Sequence, residues 1–180
     1  MTEAKERALP IKMIVMDVDG TLTDGSVFVL PDGEEVKAYN VKDGLGILLA
    51  RLAGLKTAII TGKTSKSLEI RAKKLRIDEL HQGVLDKKPV LEAILKKYQL
   101  AAEETAYIGD DIGDLEVIKL VGLAAAVADA HPAIKKQSHF ICRLSGGRGA
   151  VRELIEFILE SQGKWGIVEE KVKDLFNQQA

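Results

Sequence analysis

Two short acidic segments are the part of the sequence best suited to chemistry. Asp17 and Asp19 lie two residues apart at the end of an apolar run, and side chains at that spacing on an extended chain point the same way. Carboxylates gathered in a small volume do not all stay ionised unaided, and oxygen ligands of this kind favour Mg²⁺. The pattern predicts a magnesium site if the fold adds the second acidic segment, which contains Asp110, Asp111 and Asp114.

Three further residues have the chemistry to hold a phosphate. Thr61 and Gly62 follow the apolar run at 57–61, and a hydroxyl beside a flexible main-chain N–H suits phosphate oxygens. Lys87 begins a predicted helix and offers a fixed positive charge to a transferring phosphoryl group. The segment 62–64 (GKT) is not a nucleotide-binding P-loop, because that motif needs glycine where residue 57 is threonine.

The order of the elements predicts how these residues meet. Short apolar runs alternate with longer amphipathic stretches, which is typical of an α/β fold with a Rossmann-like parallel sheet and helices on both faces. Such sheets bind ligands at the carboxyl ends of their strands. Strands are predicted at 12–18, 57–61, around Leu80, and at 105–109, 122–127 and 139–142; helices are predicted at 43–54 (capped by Asp43), 64–76, 87–98, 112–120, 132–136 and 149–161.

Residues 26–41 interrupt this alternation. Two strand-like arms flank Pro31-Asp32-Gly33, which is a turn signal, so a β-hairpin is predicted after the first strand. The arm at 27–30 is apolar at every position, so both of its faces need cover. A projecting apolar hairpin indicates an interface; the alternative is that it folds back on its own domain.

Composition excludes several classes of protein. The chain of 180 residues predicts a single domain, 1–180, and 26 basic against 27 acidic side chains give no charge footprint for nucleic acid or a membrane surface. A lone cysteine, Cys142, excludes an internal disulfide. The N-terminal residues lack the apolar run of a signal peptide, so a cytoplasmic protein is expected. The C-terminal tail, 162–180, is charged and predicted to be mostly helical.

Four segments in order resemble the motifs of the haloacid-dehalogenase-like (HAD) phosphatase superfamily, and the resemblance covers residues 12–161. The segments are DVDGTLT (17–23), IITG (59–62), Lys87 and GDDIGD (109–114).

The resemblance implies a role for each of these residues. Asp17 would be the nucleophile that forms an aspartyl-phosphate, and Asp19 would be the general acid and then the general base. Thr61 and Lys87 would hold the phosphoryl oxygens. The Mg²⁺ ligands would be Asp17, the main-chain carbonyl of Asp19, and Asp110, with Asp111 and Asp114 in support.

The spacing of these motifs leaves no room for a cap domain. Thr61 lies 42 positions after Asp19, and Lys87 lies 26 positions after Thr61. The hairpin and one helix occupy the first interval, and a helix and a short strand occupy the second. Because aspartyl-phosphate chemistry needs a partly closed site, a neighbouring subunit is expected to cover it.

Five further segments narrow the resemblance to the capless 3-deoxy-D-manno-octulosonate 8-phosphate (KDO 8-phosphate) phosphatases. They are TDG (23–25), YNVKDG (39–44), GDDIGDLEVI (109–118), VADAHP (127–132) and SGGRGAVRE (145–153). This resemblance implies a sugar acid phosphate substrate, a role in lipopolysaccharide biosynthesis, a homotetramer built through the hairpins, and a tail that reaches a neighbour's active site.

Two cations are candidates for binding the sugar acid. Arg148 follows two glycines and can pair with a carboxylate or phosphate, although those glycines also suit a plain loop before a helix. Lys63 stands after Gly62 where many octulosonate enzymes have Arg, and lysine lacks the planar fork that binds carboxylates bidentately. A nine-carbon substrate, 2-keto-3-deoxynononate 9-phosphate, is therefore the alternative, although relatives that use it tend to have an acidic residue there.

Two non-enzymatic functions compete with this interpretation. Similar domains attached to sialic acid cytidylyltransferases serve oligomerisation, but that role predicts lost catalytic residues, and Asp17, Asp19, Thr61, Lys87 and Asp110 are all present. A phosphorelay receiver also uses Asp and Mg²⁺, but it has its phosphoacceptor on a middle strand rather than on the first.

Overall fold

A parallel six-stranded sheet forms the centre of the computed structural model, which describes residues 2–177. The strand order is β5-β4-β1-β6-β7-β8, and every neighbouring pair is parallel. The strands are β1 (Met13–Met16), β4 (Lys56–Ile60), β5 (Glu79–His81), β6 (Thr105–Gly109), β7 (Leu123–Ala126) and β8 (Phe140–Ile141).

Helices cover both faces of the sheet, as the alternating sequence pattern predicts. They are α1 (Glu3–Ala8), α2 (Val41–Leu52), α3 (Lys66–Leu75), α4 (Lys87–Tyr98), α5 (Leu115–Ile118), α6 (Pro132–Gln137), α7 (Ala150–Ser161) and α8 (Trp165–Asn177). On one side α1, α2, α7 and α8 pack together, and on the other α4, α5 and α6 do so. All residues of β1 and β6 are buried, which explains their uninterrupted apolar sequence.

Two local expectations need correction, and one helix was not expected. Helix α1 was not predicted from the sequence, and the helix predicted at 112–120 is a 3₁₀ turn (Ile112–Asp114) followed by α5. Asp43 does not cap α2: the Asn40 side chain does so, accepting a hydrogen bond from the Lys42 N–H. Asp43 is buried within α2 and accepts a hydrogen bond of 2.9 Å from the main-chain N–H of Arg152, in the first turn of α7.

A separate antiparallel hairpin formed by β2 (Phe28–Val29) and β3 (Glu35–Val36) lies between β1 and α2. Its apolar side chains are exposed, with Val29 66% and Phe28 57% accessible. The arm therefore does not fold back against its own core. No cap domain is present among the described residues, and the hairpin is the insertion in its place.

The C-terminal helix α8 packs on its own chain. It contacts α2 and α7, Val168 is buried, and the Lys171 ammonium donates to the Leu52 carbonyl at 2.6 Å. The end of the predicted tail, 178–180, lies outside the described residues. Within 2–177, no helix combines the length and apolarity needed to cross a bilayer.

Candidate active site

The two acidic segments meet because β1 and β6 are neighbours at the centre of the sheet. Met16 pairs with Ile108 in parallel register, and the Asp17 N–H donates to the Ile108 carbonyl at 3.1 Å. Asp17 and Asp110 therefore leave the sheet at the same edge. Carboxylate oxygens of Asp17, Asp110 and Asp114 lie within 4.8 Å of one another.

Lys87 supplies the positive charge inside this group. Its side chain extends from the first residue of α4, and its Nζ lies 2.5 Å from Asp17 Oδ1 and 2.7 Å from Asp114 Oδ1. The lysine and both carboxylates are buried. Burial disfavours the charged form of Lys87, but Asp17 and Asp114 outweigh that effect and raise its pKa. The site therefore holds a fixed ammonium among its acids.

Both carboxylate oxygens of Asp114 accept hydrogen bonds from neighbouring residues. Its Oδ1 accepts from the Tyr107 hydroxyl at 2.6 Å as well as from Lys87, and its Oδ2 accepts from the main-chain N–H groups of Asp110 and Asp111 at 3.0 and 3.3 Å. With four donors on two oxygens, Asp114 positions Lys87 and the loop after β6. It has little capacity left to act as a direct metal ligand.

The remaining acids are destabilised as anions. Burial, followed by repulsion from Asp17 and Asp114, raises the pKa of Asp110 to about 8. Burial and Asp114 raise the pKa of Asp17 to about 6, against the opposing effect of Lys87. One lysine therefore does not neutralise the group, and an additional cation is needed for all of its carboxylates to be charged at neutral pH.

The residues present fit a magnesium ion. Asp17 and Asp110 bring hard oxygen ligands to one edge of the sheet, as Mg²⁺ requires, and Thr21 Oγ1 holds Asp110 Oδ1 at 3.1 Å. Gly20 keeps the space open: its φ is +87°, and a Cβ there would lie 2.1 Å from Asp110 Oδ2. A side chain at residue 20 would therefore displace the Asp110 carboxylate.

The loop before α7 packs directly against the loop after β1. A Cβ on Gly146 would lie 1.7 Å from the Gly20 carbonyl oxygen, and one on Gly147 would lie 2.5 Å from the Asp24 nitrogen. The Gly147 N–H donates to the Thr21 carbonyl at 2.9 Å. These glycines are therefore more than a plain loop, because only residues without a side chain permit this approach.

Thr61, Gly62 and Lys63 follow β4, the other neighbour of β1. Met16 pairs with Ile59, so Thr61 leaves the sheet level with the loop after Asp17. Thr61 is buried, whereas Gly62 and Lys63 are exposed. The Lys63 ammonium lies 3.6 Å from Glu35 Oε2, on the hairpin.

Two predicted residues lie outside the buried group. Asp111 is exposed, and its carboxylate accepts from the N–H of Ile112 at 2.7 Å, so it caps the 3₁₀ turn. Arg148 is also exposed and pairs with Asp24 Oδ2 at 3.0 Å. Arg148 stands on the loop that packs against residues 20–24, but it does not reach the carboxylates.

Sequence reasoning missed Lys37. Its ammonium pairs with Asp19 Oδ1, and its side chain is 5% exposed against 30% for that of Asp19. The alternation of Glu35 and Lys37 along an extended arm indicates that they share a face. Nothing in the sequence indicated that this face meets Asp19. Tyr107 was also missed because it reads as an ordinary core residue of β6.

Comparison with known proteins agrees with this geometry. A family model for haloacid dehalogenase-like hydrolases matches residues 57–155. The 3-deoxy-D-manno-octulosonate 8-phosphate phosphatase KdsC of Yersinia pestis is 45% identical over 159 residues, covering 88% of this chain and 85% of that protein. The chain belongs to the KDO 8-phosphate phosphatase family of HAD-like hydrolases.

Solved structures of KDO 8-phosphate phosphatases share the whole fold. The Yersinia pestis phosphatase superposes with a TM-score of 0.88 at 44% identity, covering 90% of this chain and 88% of that one. The Moraxella catarrhalis phosphatase, in complex with a magnesium ion, a phosphate ion and KDO, gives a TM-score of 0.92 at 37% identity, covering 96% and 99%. The similarity therefore extends beyond the motifs to both chains almost in full.

Proposed function

We propose that this protein is a Mg²⁺-dependent phosphatase that hydrolyses 3-deoxy-D-manno-octulosonate 8-phosphate to KDO and phosphate in lipopolysaccharide biosynthesis. The observation that carries the proposal is the largely buried group at the sheet edge, in which Asp17 and the partly buried Asp110 share a small volume and Lys87 lies 2.5 Å from the Asp17 carboxylate. The names of the KdsC relatives and the KDO-bound Moraxella structure support the substrate.

Asp17 is the proposed nucleophile. Its carboxylate attacks phosphorus, the bond between phosphorus and the sugar oxygen breaks, and Asp19 gives that oxygen a proton. Lys87 and Thr61 bind the phosphoryl oxygens during this transfer, and Lys87 also keeps Asp17 in place. Asp17, Asp110 and the main-chain carbonyl of Asp19 would hold Mg²⁺, whose positive charge would offset repulsion between the carboxylate and the phosphate.

The second displacement returns the protein to its starting state. Asp19, now ionised, takes a proton from a water molecule, and the resulting hydroxide attacks the phosphorus of the aspartyl-phosphate. The acyl-phosphate bond breaks, inorganic phosphate leaves, and Asp17 is again a carboxylate. One residue serves both steps because each leaves Asp19 in the protonation state that the next requires.

The sugar acid is proposed to lie against Gly62, Lys63 and Arg148. The two cations are exposed and stand on different loops, and each pairs with an acid, Glu35 or Asp24, through a contact open to solvent. A substrate carboxylate can replace such a weak partner at modest cost. The same charges suit 2-keto-3-deoxynononate 9-phosphate, which remains the alternative substrate.

The assembly proposed is a homotetramer formed through the hairpins of a single-domain chain, 1–180, in the cytoplasm, with neither nucleic acid nor membrane as a partner. The exposed apolar side chains of β2 support it, because a face of this kind on one protomer is usually covered by another. A non-catalytic oligomerisation module is the competing function. The intact group of Asp17, Lys87 and Asp110 favours the enzyme.

A phosphate-release assay tests the substrate. Purified protein with Mg²⁺ is assayed against KDO 8-phosphate, 2-keto-3-deoxynononate 9-phosphate and neutral sugar phosphates, and kcat/KM is compared. The highest value is expected with the eight-carbon acid. A higher kcat/KM with the nine-carbon acid would make that acid the substrate instead. Absence of phosphate release from every member of the panel would favour the oligomerisation module.

A further inference from the structure

The second arm of the hairpin meets the catalytic loop through its charged side chains. Glu35 and Lys37 are two residues apart, so they share one face of the arm, and their partners, Lys63 and Asp19, follow the adjacent strands β4 and β1. Val36, between them, is exposed and 40% accessible. The second arm of the hairpin therefore turns its charged side chains toward the site and Val36 away from it.

The two ion pairs differ in burial. The Lys63–Glu35 pair is open, with both side chains about half exposed, and open pairs of this kind contribute little. The Lys37 side chain is almost fully covered, and among the described residues Asp19 is its only carboxylate partner. A covered ammonium without a partner is costly, so this contact fixes both residues it joins.

The contact also selects one oxygen of Asp19. Lys37 occupies Oδ1, whereas no residue within 2–177 donates a hydrogen bond to Oδ2. With Oδ1 held, Oδ2 is the oxygen free to exchange a proton with the leaving group.

We propose that Lys37 is a positioning residue for the general acid: it orients the Asp19 carboxyl group toward the leaving oxygen and makes proton transfer depend on a docked hairpin. This inference rests on the proposed function, since it assumes that Asp19 protonates the sugar oxygen. It assigns Lys37 no contact with the phosphoryl group.

Two substrates separate positioning from general support of the fold. The sugar phosphate is KDO 8-phosphate, which has a poor alkoxide leaving group and needs the proton from Asp19. The aryl phosphate is p-nitrophenyl phosphate, which releases a stable phenolate and needs little acid assistance. For both, kcat/KM reports the steps up to the first irreversible one, which is transfer of the phosphoryl group to Asp17. Loss of orientation at Asp19 should therefore appear mainly with the sugar phosphate.

The test compares Lys37→Met, Lys37→Arg and Asp19→Asn, with Lys42→Met as the matched control at an exposed lysine outside the site. Asp19→Asn is expected to lower kcat/KM for the sugar phosphate about 100-fold or more. Lys37→Met is expected to lower it about 10-fold, with less than about a 3-fold change for the aryl phosphate. Lys37→Arg should restore part of the loss, and Lys42→Met should match the wild type.

The double variant completes the test. If Lys37 acts through Asp19, adding Lys37→Met to Asp19→Asn lowers kcat/KM little further, because the effects of residues that act as a unit do not add. Equal losses on both substrates, or additive losses in the double variant, would overturn the proposal and leave Lys37 a structural tether. Failure of the proposed function would look different. A non-catalytic protein would hydrolyse neither compound, and a phosphatase for another substrate would hydrolyse p-nitrophenyl phosphate but not KDO 8-phosphate.

Discussion

Replacing Asp114 with asparagine should destabilise the protein strongly, because the carboxylate accepts four hydrogen bonds on two oxygens. An asparagine amide has one oxygen, so its NH₂ group must face either Lys87 and Tyr107 or the two main-chain N–H groups. Two bonds to a charged acceptor are lost, at about 1.5–3 kcal/mol each. Lys87 loses one of its two buried partners and keeps Asp17, while the removed charge relieves repulsion on Asp17 and Asp110. Since that relief offsets part of the lost bonding, we expect a loss of about 3–5 kcal/mol in the free energy of unfolding.

Urea unfolding with a chelator present measures this loss without a contribution from bound metal. The control is Asp111→Asn, the same chemical change three residues earlier at an exposed side chain that caps the 3₁₀ turn. Asparagine also caps well, so the control should change by less than about 0.5 kcal/mol. All variants are compared at equal protein concentration, because assembly adds to apparent stability. A loss below about 1 kcal/mol for Asp114→Asn would refute the role assigned to this carboxylate.

Four further outcomes are expected. Asp17→Asn should abolish phosphate release while the circular dichroism spectrum and the assembly stay unchanged; activity equal to that of the wild type would rule out the aspartyl-phosphate mechanism. Magnesium affinity should fall about tenfold per pH unit below about 8, because Asp110, whose pKa is raised to about 8, must lose its proton to bind the metal; calorimetry showing equal affinity at pH 6 and pH 8 would contradict this. Val29→Asp should shift the sedimentation of the protein toward smaller species, because it places a charge on the exposed apolar arm; an unchanged profile would exclude the hairpin as the interface. Ending the chain after Gly163 should lower turnover without dissociating the assembly, and unchanged kinetics would show that α8 has no part in the reaction.

The residues that follow adjacent parallel strands were the ones predictable from sequence. Asp17 and Asp110 were correctly expected at one edge, because strand order and the period of an extended chain fix where they emerge. Thr61 follows from the same logic. The helix boundaries were right to within a few residues where apolar periodicity was strong, as for α4 and α7.

What the sequence did not reveal depends on contacts between distant loops. Asp43 looked like the cap of its own helix but caps α7 instead, because α2 and α7 pack side by side. Arg148 looked free for substrate, yet Asp24 lies within reach because Gly146 and Gly147 allow the two loops to touch. The contact between Lys37 and Asp19 depends on where the hairpin lies, and no local sequence pattern determines that position.

The central place of β1 and β6 affects how the protein tolerates transient opening. Each has a hydrogen-bonded neighbour on both sides, whereas β5 and β8 lie at the margins and span only three and two residues. Fraying begins where backbone bonds are fewest and most accessible, so amide hydrogens at the margins exchange first. The strands that precede Asp17 and Asp110 stay paired through such events, so these two carboxyl groups keep their spacing while the marginal strands open.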